Sequence, residues 1–163
     1  MSLPSVLRYL GVFVLALTAG TASAQQLAAP YGAPIDGETA KKIASAALAE
    51  ARKNNWRMAA AIVDPSGELV YFEKVDGTQI ASNDIAIDKA RSSVRFKRPT
   101  KAFQDAITLG GVEMRYLGLR GVVPAEGGVP IVMDGRIVGA IGVSGGSGAQ
   151  DQQCAAAGVA TVK

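Results

Sequence analysis

Gly127-Gly128-Val129-Pro130-Ile131-Val132-Met133-Asp134-Gly135-Arg136-Ile137-Val138-Gly139-Ala140-Ile141-Gly142-Val143-Ser144-Gly145-Gly146 decides the fold of this chain. Two apolar runs meet at Asp134-Gly135, and a two-residue hairpin turn needs positive φ, which Asp and Gly tolerate. The stretch therefore predicts two antiparallel strands, Val129 to Met133 and Arg136 to Ser144. The second strand meets the glycine-rich Ser144 to Gly148, and a helix follows over about Ala149 to Ala157.

Working upstream, Gly110 to Glu126 carries Gly110, Gly111, Gly118, Gly121 and Pro124 and reads as a long loop, with a short strand or helical turn near Met114 to Leu117. Thr100 is placed to cap a short helix from Lys101 to about Thr108, and Pro99 stops the preceding helix near Arg98. That preceding helix runs from Asn83 to about Lys97 with Ser82 as its cap, and buries Ala86, Ile87, Ala90 and Val94. Met58 to Val63 and Glu68 to Val75, joined by Asp64-Pro65-Ser66-Gly67, form another antiparallel pair. Asp36 caps a first amphipathic helix, Gly37 to Lys53, which Asn54-Asn55 ends. Helix, hairpin, helices, hairpin, helix predicts an α+β sandwich around an antiparallel sheet, not a doubly wound parallel sheet.

Residues 1–24 read as a secretory signal: Arg8, an apolar core from Leu10 to Leu17, and Ala22-Ser23-Ala24 as a small-residue cleavage site. Export to the periplasm or the exterior is the expectation, with no stable membrane span after cleavage. Removing 24 of the 163 residues leaves 139, enough for one domain over residues 35–163 behind a flexible leader at 25–34. Cleavage also removes one of the 17 basic residues, so 16 face 14 acids, too mild an excess to argue for nucleic acid. One cysteine, Cys154, excludes an intrachain disulfide. The absence of histidine excludes Ser-His-Asp and Cys-His catalysis and the commonest metal ligand. No general base, nucleophile or metal cluster stands out, so the sequence gives no ground for an enzyme.

The densest charge feature is Lys89 to Lys101, where Lys89, Arg91, Arg95, Lys97, Arg98 and Lys101 occur without an acid. Arg91, Arg95 and Arg98 fall at i, i+4 and i+7, one helical face, where guanidinium groups would pair with the carboxylates of a ligand. A solvated helix face, or a contact with acids of a neighbouring subunit, gives the same pattern. The Ser144 to Gly148 turn lacks the Lys-Ser/Thr ending of a phosphate loop and reads as a structural turn. Asp151 beside it complements the helix dipole. Asp84 and Asp88 lack a third ligand and read as solvated acids.

Gly127-Gly128-Val129-Pro130-Ile131, the Gly139-Ala140-Ile141-Gly142-Val143-Ser144-Gly145 core, Asp151, Cys154-Ala155 and Ala157-Gly158 together resemble the GlcG/HbpS-like family. The likeness extends through Ala61-Ile62-Val63-Asp64-Pro65-Ser66-Gly67, Lys89-Ala90-Arg91 and Phe96-Lys97-Arg98-Pro99-Thr100, and spans about Ile35 to Val159. It implies a profilin-like α-β-α sandwich that assembles into homo-oligomers. It also implies haem or a related tetrapyrrole as ligand, in a carrier, buffer or sensor accessory. A small organic acid such as glycolate, bound by the same cationic face, and a non-catalytic interaction module are the other roles it leaves open.

Haem iron takes His, Cys, Met or Tyr from proteins. The chain offers Cys154, Met58, Met114, Met133, Tyr31, Tyr71 and Tyr116, of which Tyr116 lies with Met114 in the long loop. Cys154 in an Ala-rich helix reads as a small buried hydrophobe. The resemblance adds Thr100, whose Pro99-Thr100 corner matches a region where a related member places a weak threonine ligand. The expected ligand-contacting set is thus Arg91, Arg95, Arg98, Thr100 and Tyr116, with no catalytic residue and no metal site of the protein's own.

Overall fold

The computed structural model describes residues 28–162. The expected signal at 1–24 and the first three leader residues lie outside them. The elements run α1 (Gly37–Lys53), β1 (Ala59–Val63), β2 (Leu69–Lys74), α2 (Ser82–Phe96), α3 (Lys101–Leu109), a 3-10 segment (Gly111–Gly118), β3 (Gly128–Met133), β4 (Arg136–Ser144) and α4 (Gly148–Val159). The four strands form one antiparallel sheet in the order β2-β1-β4-β3, so the two hairpins join through their first and last strands. The α+β sandwich read from the sequence is the fold. Asp134 and Gly135 turn the second hairpin at φ 49° and 71°, both positive as that turn requires.

The sheet's two faces differ in side-chain size. Ile62, Ile131, Ile141 and Val143 pack beneath α1 and α4 with Ile43, Leu48 and Cys154. The other face presents Ala59, Ala61, Ala140, Gly142 and Gly128, and α2 lies almost on the backbone. A Cβ on Gly142 would stand 1.9 Å from the Ala86 carbonyl oxygen, and one on Gly128 2.5 Å from that of Lys89. Alanines and glycines on β1, β3 and β4 thus set the depth at which α2 is seated.

Three local expectations need correction. Ser82 does not cap α2: it is the first helical residue, buried, and its hydroxyl accepts hydrogen bonds from Gln79 and Ser144. α2 ends at Phe96, two residues before Pro99 acts on the chain, because Lys97 takes a left-handed conformation (φ 53°). The leader is not free along its described part. Pro30 O accepts from Ile137 N at 2.8 Å, and Gly32 N and Ile35 N donate to Ile137 O and Val138 O, so residues 30–35 flank β4 where β1 has ended. Tyr31 fastens this strap, its hydroxyl donating to Val94 O at 2.9 Å. The long loop contains the 3-10 segment Gly111–Gly118.

Candidate functional site

The cationic segment at the end of α2 splits into groups with separate duties. Lys89 is 3 % exposed and points inward, donating to Asp151 Oδ2 at 2.7 Å and Val143 O at 3.1 Å. Asp151, equally buried, also accepts from Gly146 N at 3.0 Å. This ion pair joins α2 to α4 across the end of the sheet. It removes Lys89 from the exposed charge and gives Asp151 a role beyond the helix dipole. Burial pushes the Asp151 carboxyl above the usual range, and the Lys89 ammonium only partly offsets it.

Arg91 and Arg95 remain together. Arg91 Nε donates to Gly67 O at 3.0 Å, and Gly67 lies against both side chains, with a Cβ there 3.3 Å from Arg95 Nε and 3.7 Å from Arg91 Cγ. Arg95 also reaches Gly121 in the loop after the 3-10 segment, which Ser92 Oγ holds by accepting from Val123 N at 3.0 Å. Arg98 does not continue their face, because the helix has ended. Its Nε donates to Phe96 O at 3.2 Å, and its guanidinium sits 5.6 Å over the Phe103 ring. Phe103 in turn meets Phe96 and Tyr116 edge to face, each at 5.3 Å between centroids. Arg98 and Tyr116 therefore share one aromatic cluster, while Arg91 and Arg95 share the Gly67 turn.

Among the described residues, Arg91, Arg95, Lys97 and Arg98 have no carboxylate within 4.0 Å, whereas Lys101 pairs with Asp105 and Glu126. Lys97 lies 4.2 Å from the centre of the Tyr31 ring. Beside this charge, the α3 and 3-10 region exposes Leu109, Val112, Met114, Leu117 and Leu119, Leu109 at 82 % and Val112 at 71 %. Of the four cations without acid partners, Arg98 meets this region through Phe103 and Arg95 through Gly121. The charge was legible in the sequence, but the apolar strip was missed because residues 110–126 read as a turn-rich loop, whose exposed faces a linear reading does not assign.

Thr100 has another duty. Its Oγ1 accepts from Gly128 N at 2.9 Å, its own N–H donates to Gly128 O at 3.0 Å, and its side chain is fully buried. It makes no capping hydrogen bond to α3. Thr100 pins α3 to β3 with its hydroxyl engaged inside the fold, which corrects the cap expectation. Of the other iron donors, Met58 is fully buried, Tyr71 is bonded to Glu73, and the buried Cys154 thiol is pushed up to about 12 by desolvation, then by the Glu50 and Asp151 charges. Met114, exposed at the surface, half-buried Tyr116, and Tyr31, whose hydroxyl donates to Val94 O, are the donors beside the cations.

The glycine-rich turn is structural, as its sequence suggests. Gly146 N goes to Asp151, and Ser147 and Gln150 form a reciprocal capping box at the start of α4. Asp84 and Asp88 are exposed, and no group of three metal-binding side chains occurs among the described residues. No helix among those residues is long and apolar enough to cross a membrane.

Comparison with known proteins agrees with this architecture. The GlcG protein of Escherichia coli K12 is 37% identical over 107 residues, covering 66% of this chain and 78% of GlcG. The crystal structure of HbpS superposes with a TM-score of 0.74 at 29% identity, covering 81% of this chain and 92% of HbpS. The PduOC structure, solved as a haem complex, shares the fold with a TM-score of 0.72 at 24% identity, covering 80% and 96% of the two chains. Residues 35–160 match the family described as haem degrading protein HbpS-like, and the chain belongs to that HbpS-like family.

Proposed function

We propose that this protein binds haem, as a carrier, buffer or sensor accessory outside the cytoplasm. The observation that supports it is the conjunction at the end of α2: Arg91, Arg95, Lys97 and Arg98 without carboxylate partners, next to the aromatic cluster and the exposed aliphatic strip. Haem is a flat apolar macrocycle with two carboxylates, and such a ligand needs both halves of that surface. Arg91, Arg95 and Arg98 would take the propionates. Leu117, Leu119 and Tyr116 would face the ring, and Met114 or Tyr116 would supply an iron donor.

Two clefts, of about 290 and 280 Å³, are lined by other residues, and the α2 surface of one chain would serve as one wall of the haem site. A second copy laid against the strip would supply the other, which fits the expectation of a homo-oligomer. Hemin titration into the purified protein tests the reading. A shifted, saturable Soret band at a fixed stoichiometry is expected. Its absence, or an Arg91→Ala/Arg95→Ala/Arg98→Ala variant with unchanged affinity, would remove this surface as the site.

A further inference from the structure

A second basic site occupies the opposite end of β1 from Gly67, in the connection from α1. Arg52, Asn55, Trp56, Arg57 and Val75 line a cleft of about 280 Å³ there. Its walls are held from behind. Asn55 takes a left-handed conformation (φ 58°) that turns the chain out of α1, and Trp56 N then donates to Ala51 O at 2.9 Å. The half-buried indole packs against the main core. The Arg57 carbonyl lies beneath Gly145, where a Cβ would stand 2.3 Å away, and its guanidinium lies across Gly77, which has no side chain to displace it.

The two arginines of this cleft are not equivalent. Arg52 is engaged by Glu73 at 2.8 Å, a bond that holds the Glu73 carboxyl below its usual range, and Glu73 also accepts from the Ser45 and Tyr71 hydroxyls. Arg57 has no carboxylate within 4.0 Å and no hydrogen-bond partner among the described residues. One uncommitted guanidinium therefore stands beside an indole and a valine.

We propose that this cleft binds a small monocarboxylate with a flat apolar body, an aromatic acid being the class it fits. The guanidinium fork matches a carboxylate bidentately. The half-buried indole lines the cleft and gives an apolar ligand body aromatic surface to pack against. With Arg52 neutralised by Glu73, a second anionic group on the ligand has no counter-charge. The volume lies at the small end of ligand pockets, which suits a ligand of metabolite size and not a macrocycle.

Trp56 is the single tryptophan of the chain, so its emission reports on this cleft alone. The haem-free protein is titrated with benzoate, with the neutral analogue benzyl alcohol, and with inorganic phosphate. Benzoate is expected to change the emission saturably with a Kd of about 1 mM or below, and the other two to bind at least about tenfold more weakly. Arg57→Gln should weaken benzoate by a similar factor while leaving hemin titration and the melting curve unchanged. Equal affinity for benzyl alcohol or phosphate, no saturation by about 50 mM benzoate, or an Arg57→Gln variant that binds benzoate as before would overturn the proposal. If that variant does not fold, the selectivity of the native protein decides by the same criteria. Because haem is absent and the hemin titration is a separate readout, this site stands or falls independently of the α2 surface.

Discussion

Lys89 and Asp151 show how a single residue's role depends on what surrounds it. A buried pair contributes little net stability when intact, but removing one partner strands the other in a medium that cannot solvate it. Lys89→Met is expected to lose about 3–5 kcal/mol at neutral pH in urea unfolding, while Lys89→Met with Asp151→Leu recovers most of that. The pH dependence follows from the direction of the Asp151 shift. Its folded carboxyl titrates above the ordinary value of 3.8, so the stability linked to its protonation is present below that value and is lost as pH rises through the folded pKa. Without Lys89 the shift grows, so the deficit of Lys89→Met should shrink on acidification below neutral pH. A deficit that stays constant, or grows, would show that the stranded carboxylate is not its cause.

At the scale of elements, the seat of α2 on the sheet rests on missing side chains. Gly142→Ala places a methyl against the backbone of Ala86 and Ala90, which cannot move aside as a flexible side chain can. It should cost about 3 kcal/mol or more in thermal or urea unfolding. Gly135→Ala, at a turn with open space around it, meets only its left-handed φ and should cost about 1 kcal/mol. Similar losses at both positions would mean that the close approach of α2 does not limit stability. The arginines obey the same geometry. Their i, i+4, i+7 spacing is a face only while the helix lasts, and Lys97 ends it before Arg98.

For the whole molecule, the exposed Leu109, Val112, Leu117 and Leu119 form a strip that a lone soluble chain has little reason to keep. Light scattering of the protein is expected to give a mass at least twice that of one chain. Leu109→Glu with Val112→Glu should lower it, and should weaken hemin binding if a second copy forms the other wall. A native mass equal to one chain would sink the oligomer part of the proposal.

Periodicity and turn chemistry by themselves determined the elements. Asp134-Gly135 set the hairpin, Asp36 the start of α1, and the strand ends came out within a residue, because all of these are local preferences of the backbone. The sequence also located the cationic segment and read Cys154 as a small buried hydrophobe, which is where the fold puts it. Only the tertiary structure decided which cations face water, that Thr100 is a buried pin and Lys89 half of an ion pair, and that Arg57 stands beside Trp56 without an acid. Those are matters of which groups from distant parts of the chain come within a few ångströms, and a linear spacing carries no such information once a helix ends or a strap crosses a sheet.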